Sequence, residues 1–181
     1  NYPADIALVE HAKPGLQLLL KAVRLQEATT VRWPPQELEE IRRENDAWVR
    51  QQAPLQCEII GQLQQVLDDD AVVVSGITNV GYWSQFTLRM RRPRTYLSAS
   101  YFATLGFAFP TALGAKVAAP HRQVVSLSGD GGFMYALPEL ATAVQYGINL
   151  VAVVFVDGAF GASYNDQRTR YQGRIVGTNI H

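Results

Sequence analysis

Val124-Val125-Ser126-Leu127-Ser128-Gly129-Asp130-Gly131-Gly132 decides the reading of this chain, taken together with Val151-Ala152-Val153-Val154-Phe155-Val156-Asp157. Each stretch is an apolar run that leads to an aspartate. Between them, Pro138 to Tyr146 has the composition of a helix and Gly147 closes it. Strand, glycine turn, helix, strand is the order of a right-handed crossover in a parallel sheet. Asp130 and Asp157 then fall at the carboxyl ends of parallel strands, the edge at which open α/β sheets bind ligands. Neighbouring strands lie about 5 Å apart, so both carboxylates can reach one point. Two unpaired carboxylates there repel, and a hard cation resolves the repulsion. The amides of Gly129, Gly131 and Gly132 can receive phosphate oxygens. The pattern predicts a site for a metal-bridged diphosphate.

Other glycine-turn chemistries fit less well. A dinucleotide-binding G-x-G-x-x-G fails at its third glycine, where Met134 stands, and Asp130 would face a pyrophosphate with no cation between them. A P-loop needs Gly-Lys-Ser/Thr after the turn, which is absent. His11, His121 and His181 are scattered, so no Ser-His-Asp arrangement can be read.

Composition narrows the function further. The 181 residues suffice for a domain with a sizeable core. Lysine plus arginine and aspartate plus glutamate both number 16, for a formal net charge of zero, so no nucleic-acid footprint is expected. The basic stretch Arg89 to Arg94 reads as a solvated loop or an interface. Cys57 is the single cysteine, which excludes an intrachain disulfide and a thiolate metal cluster and fits a reducing cytoplasm. No run reaches the ~20 apolar residues of a membrane span, and no signal peptide opens the chain. The expectation is a cytoplasmic protein without a membrane partner.

Working outward, residues 1–25 read as a short strand at Ile6-Ala7-Leu8-Val9 and a helix with Leu16, Leu20 and Val23 inward. Trp33-Pro34-Pro35 and the acids after it start a second, mostly exposed helix. From Pro54 a helix with Ile59, Ile60, Leu63 and Val66-Leu67 on its buried face precedes Asp68-Asp69-Asp70, a loop of solvated acids. Ala71 to Val74 is a buried strand. Beyond its end, Thr78 and Asn79 either donate to a phosphate or cap the next helix. Tyr82, Trp83 and Phe86 in that helix read as core or subunit interface.

Gly129-Asp130-Gly131, followed 27 residues after its aspartate by Asp157-Gly158-Ala159-Phe160-Gly161, resembles the cofactor signature of thiamine-diphosphate-dependent enzymes. The likeness is to the superfamily of acetolactate synthase, pyruvate decarboxylase and benzoylformate decarboxylase. Ala103 to Lys116 resembles the segment of that superfamily that approaches the thiamine ring, so the likeness covers roughly residues 54–181.

The resemblance implies an α/β fold, a mostly parallel sheet with helices on both faces, incomplete at its C-terminus. It implies a middle-domain remnant at 1–28, a linker helix at 29–53 and the diphosphate-binding domain at 54–181, within a longer chain. It implies thiamine diphosphate and Mg²⁺ as cofactors, with Asp130, Asp157 and the carbonyl of Ala159 on the metal. Thr78, Asn79, Ala103, Leu105, Gly129, Gly131, Gly132, Phe160 and Gly161 join these as cofactor-binding positions. Leu105 stands where a large apolar residue props the cofactor into its bent shape. The carbonyl of Ala103 accepts from the aminopyrimidine, which Ala permits if its φ is negative.

Three departures stand out: Val156 where relatives often have Asn, Gly76 where they often have an acid, and Ala103 where Gly is frequent. The implied activity is decarboxylation of a 2-keto acid, or carboligation. The activating glutamate comes from a pyrimidine-binding domain of the same or a partner subunit, in a homodimer or homotetramer, so the fragment alone is expected to be inert. The competing reading is a non-catalytic, degenerate module acting as scaffold or regulator.

Overall fold

A computed structural model of the chain describes residues 3–25, 34–99 and 101–180. The chain divides into two compact units, Asn1–Arg42 and Arg43–His181. In the first, α1 (Ala12–Leu25) buries Gly15, where an added Cβ would come within 3.2 Å of Leu8 Cδ2. Leu16, Leu20 and Val23 are all more than half exposed, which corrects the expectation that they face inward. Ile6 to Val9 forms no strand among the described residues, because a lone extended segment leaves its backbone groups without ladder partners.

Helix α2 (Pro35–Gln52) begins on a proline, whose missing N–H is one the helix start leaves unpaired anyway, and carries Glu37 in its first turn. Residues 29–33 of the expected linker lie outside the described residues. The helix crosses into the second unit, where Val49 is buried.

The second unit continues with α3 (Pro54–Val66), β1 (Val72–Ser75), α4 (Asn79–Thr87), β2 (Tyr96–Ser98), α5 (Ala108–Ala118), β3 (Val124–Gly129), α6 (Asp130–Met134), α7 (Glu139–Gln145), β4 (Val151–Phe155) and α8 (Gly161–Arg170). The strands form one sheet in the order β2-β1-β3-β4, and every pair is parallel. This is the α/β fold expected.

The alternation of a strand explains why β1 is apolar throughout. Val72 and Val74 pack with Ala108, Ala112 and Val124 on the face covered by α5. Val73 packs with Val125 and Leu127 on the other face, against Leu63, Leu67 and Leu88. A sheet covered on both sides needs apolar residues at successive positions, and each fully buried valine contributes about 2 kcal/mol. Phe109 and Leu113 of α5 join Ala136 and Phe133 in a third cluster beside α7.

Four details refine the sequence reading. The strand expected at Ala71 to Val74 sits one residue later. Gly129-Asp130-Gly131-Gly132 is no open turn, since α6 starts on Asp130 directly after β3. β4 is an edge strand, and Val151 and Val156 are exposed rather than buried. The three acids at 68–70 are solvated as expected, with Asp69 paired to Arg91 and Asp70 to Arg122 at the surface.

Candidate functional site

Parallel pairing brings three strand ends together. Ser75 of β1 is in register with Leu127 of β3, and Gly129 of β3 with Phe155 of β4. The segments at these ends, 76–79, 129–132 and 156–161, therefore share one edge of the sheet. A Cβ added to Gly129 would lie 3.3 Å from Thr78 Oγ1, so the hydroxyl borders the glycine turn.

Thr78 takes the N-cap position of α4 with extended backbone, yet its side chain makes no capping hydrogen bond. Its hydroxyl remains available to a phosphate oxygen. Asn79 is different, because its Oδ1 accepts from Gln56 Nε2 at 2.7 Å. That bond ties the side chain to α3.

Asp130 joins two loops. Its Oδ1 accepts from Gly131 N at 2.8 Å and its Oδ2 from Gly158 N at 2.9 Å. Each carboxylate oxygen has a second lone pair left for a cation. Asp157 Oδ1 accepts from Ala159 N at 3.2 Å. A Cβ added to Gly161 would come within 3.0 Å of Asp157 Oδ2, so the glycine makes room for that carboxylate. Among the described residues neither aspartate forms an ion pair with a cationic side chain.

The geometry also places the carbonyl of Ala159. Phe160 N donates to Thr178 O at 2.8 Å and Ile180 N donates to Gly158 O at 2.7 Å, on either side of an antiparallel Ala159–Asn179 pair. In a pair flanked this way the backbone groups of the central residue point away from the partner segment. Ala159 N accordingly donates to Asp157, and the carbonyl opens on that same side.

These groups fit a divalent cation bound through a diphosphate. Mg²⁺ takes six oxygens in an octahedron and keeps phosphate and water among them. Two carboxylates and one carbonyl leave the remaining positions to oxygens from outside the protein. No group of three or more metal-ligating side chains occurs among the described residues, so nothing in them forms an all-protein cage.

Other predicted positions serve the site differently. The amide of Gly131 is already taken by Asp130. A Cβ on Gly131 would lie 2.7 Å from Phe160 Cε1 and 3.0 Å from Ile180 Cδ1. Gly131 is thus a close-approach glycine, and Phe160 packs on it rather than facing outward. Gly132 is less confined, with Leu105 Cδ2 at 3.8 Å from a built Cβ. Leu105 therefore lies beside Gly132 near the start of α6.

Ala103 contradicts its expectation. Its φ is +49°, not negative, because the backbone reverses here and Ala103 N donates to Ala99 O at 2.9 Å. A left-handed alanine costs about 1–2 kcal/mol relative to its ordinary conformations. Gly106, at φ +80°, completes the reversal, and a Cβ there would meet Tyr135 Cβ at 2.9 Å.

Sequence reading missed the part played by residues 176–180. The segment forms no strand, but Asn179 makes an isolated antiparallel bridge to Ala159 in the loop that carries Asp157. Gln167 of α8 bonds to Val176 and Thr178. Asp166 pairs with Arg170 at 3.0 Å. The β-prone residues Val176, Thr178 and Ile180, at alternate positions, were the available signal.

Comparison with known proteins gives the family. Residues 76–181 match the family described as thiamine pyrophosphate enzyme, C-terminal TPP binding domain. The chain is 34% identical over 139 residues to a sulfoacetaldehyde acetyltransferase of Castellaniella defragrans, covering 77% of this chain and 22% of that protein. It is 33% identical over 128 residues to a probable acetolactate synthase large subunit of Methanococcus aeolicus, covering 68% of this chain and 21% of that one. A solved thiamine diphosphate-dependent 4-hydroxybenzoylformate decarboxylase of Rhodococcus jostii RHA1 is similar with a TM-score of 0.63 and 27% identity, over 69% of this chain and 24% of that chain. This chain spans less than a quarter of the length of each of the three.

Proposed function

The chain belongs to the thiamine pyrophosphate enzyme family through its C-terminal TPP binding domain, and from that premise we propose that it holds the Mg²⁺ and diphosphate of a 2-keto-acid decarboxylase or carboligase of the acetolactate synthase kind. One observation carries the proposal. Asp130 and Asp157 accept from the successive amides of Gly158 and Ala159 at the carboxyl edge of β3 and β4, and among the described residues neither pairs with a cationic side chain.

Thiamine diphosphate is the cofactor of the family, and when bound it supplies the electron sink for decarboxylating a 2-keto acid. The residues of this chain bind and orient. Asp130 and Asp157 hold the cation, and Ala159 offers a carbonyl beside them. The Thr78 hydroxyl donates to a phosphate oxygen. Leu105, beside Gly132, would prop the cofactor and shield it from water. The backbone carbonyl of Ala103 would accept a hydrogen bond from the aminopyrimidine, in a left-handed conformation instead of the negative φ that the resemblance called for.

Two departures from the family pattern are compatible with a working site. A Cβ on Gly76 would come within 3.1 Å of Leu127 O and 3.3 Å of Ala108 Cβ, so an acid there would need the sheet edge to open. Val156 is 77% exposed, and its side chain carries no hydrogen-bonding group to leave unpaired.

The same reading assigns the remainder of the site to a pyrimidine-binding domain of this or a partner subunit, which provides the activating glutamate in a homodimer or homotetramer. It keeps the division into residues 1–28, 29–53 and 54–181, and it places the enzyme in the cytoplasm. No helix among the described residues is long and apolar enough to cross a membrane.

Calorimetric titration of thiamine diphosphate into the full-length protein with Mg²⁺ tests the proposal. Binding heat that disappears with EDTA and in Asp157→Ala is the expected result. Equal binding in wild type and variant would refute it.

A further inference from the structure

The segment that follows α8 is built to return to the metal loop. Gln172 and Gly173 both have positive φ, +56° and +78°, and turn the chain back after the helix. Gly177, at +66°, bends it again between Val176 and Thr178. A strap made this way needs an anchor, and α8 provides one side chain that supplies it.

Gln167 Nε2 donates to Val176 O at 3.0 Å, while Val176 N donates to Gln167 Oε1 at 2.9 Å. The side-chain amide thus pairs with both backbone groups of one residue, as a neighbouring strand would. Thr178 Oγ1 adds a third bond to Gln167 Oε1 at 3.3 Å, and Thr178 is buried. From Thr178 the connection continues to the site. Thr178 O accepts from Phe160 N, and Ile180 N donates to Gly158 O. These two bonds flank Ala159 and determine which way its carbonyl points.

We propose that Gln167 is a positioning residue for the cation: it fixes the strap 176–180, and the strap aims the Ala159 carbonyl at the point where Asp130 and Asp157 converge. The inference rests on the reading of those three residues as the metal site. It adds an anchor that touches neither metal nor cofactor. Residues that orient a metal ligand typically change metal affinity by about 10–100-fold when removed. Gln167 acts through two steps of hydrogen bonding, so an effect of about tenfold is expected.

The test is Mn²⁺ binding to the full-length protein at saturating thiamine diphosphate, followed by the free-Mn²⁺ resonance. Wild type is compared with Gln167→Ala, Gln167→Glu and Asp157→Ala. Gln167→Ala is expected to weaken Mn²⁺ binding about tenfold, while the apparent affinity for thiamine diphosphate at saturating Mn²⁺ stays at the wild-type value. A merely structural role would lower both affinities together.

Gln167→Glu keeps an acceptor for Val176 N and Thr178 Oγ1 but sets an oxygen against the Val176 carbonyl, so its loss falls between wild type and Gln167→Ala. It also carries the test if the alanine variant does not fold. Wild-type Mn²⁺ affinity in both folded Gln167 variants, with a large loss in Asp157→Ala, would overturn the anchor and leave the metal site standing. No loss in Asp157→Ala would overturn the metal site itself.

Discussion

Five backbone amides, those of Gly131, Gly158, Ala159, Phe160 and Ile180, have partners in the loops around Asp130 and Asp157. Tyr101–Gly106, which overlaps the start of the segment likened to the approach to the thiamine ring, is built differently. Tyr101 and Phe102 are 91% and 84% exposed and stack on each other edge to face. Ala103 is held left-handed beside them. The phosphate end is organised by contacts within this chain. The segment proposed for the ring end presents aromatic surface and backbone strain. On the proposed reading, the charged end of the cofactor binds to this chain's own residues.

The largest effect expected from breaking this contrast is at the carboxylates. Asp130→Ala removes a proposed metal ligand and the bond that ties the loops after β3 and β4 together. Its thiamine diphosphate affinity in Mg²⁺, read by calorimetry, should fall by at least about 100-fold. Next comes Gly131→Ala, whose Cβ meets the Phe160 ring. Overpacking of this kind costs about 1–3 kcal/mol, and the midpoint of denaturant unfolding should drop accordingly.

At the ring end the sign reverses. Ala103→Gly relieves a left-handed alanine and should stabilise the protein by about 1 kcal/mol in the same assay, with Mn²⁺ affinity unchanged. The smallest effect is expected at Thr78. Thr78→Val removes one hydroxyl donor worth about 1 kcal/mol at most, so cofactor binding should weaken about threefold. Thermal stability should hold, since the hydroxyl makes no capping bond.

How far these regions were legible in the sequence follows the range of the forces that shape them. β3, β4 and α7 could be read because apolar runs, a proline and a glycine mark them locally. Asp130 and Asp157 followed from those elements, because parallel strands put their ends on one edge. β2 was not read, since Tyr96–Ser98 is three residues long and owes its extended form to β1 beside it. The anchor at Gln167 was missed for a related reason, as its partners lie 9 and 11 residues away across a double bend. Ala103 misled because alanine ordinarily keeps φ negative, and the loop overrides that preference. The inward face expected of α1 was read from spacing alone, and spacing does not supply the surface that covers it.

The most direct test of the central claim is Mn²⁺ bound to the full-length protein with thiamine diphosphate, examined by pulsed electron-nuclear double resonance for ³¹P coupling. The account predicts strong phosphorus coupling in the wild type and loss of the bound Mn²⁺ signal in Asp157→Ala. Tightly bound Mn²⁺ without phosphorus coupling, or an unchanged signal in the variant, would contradict it.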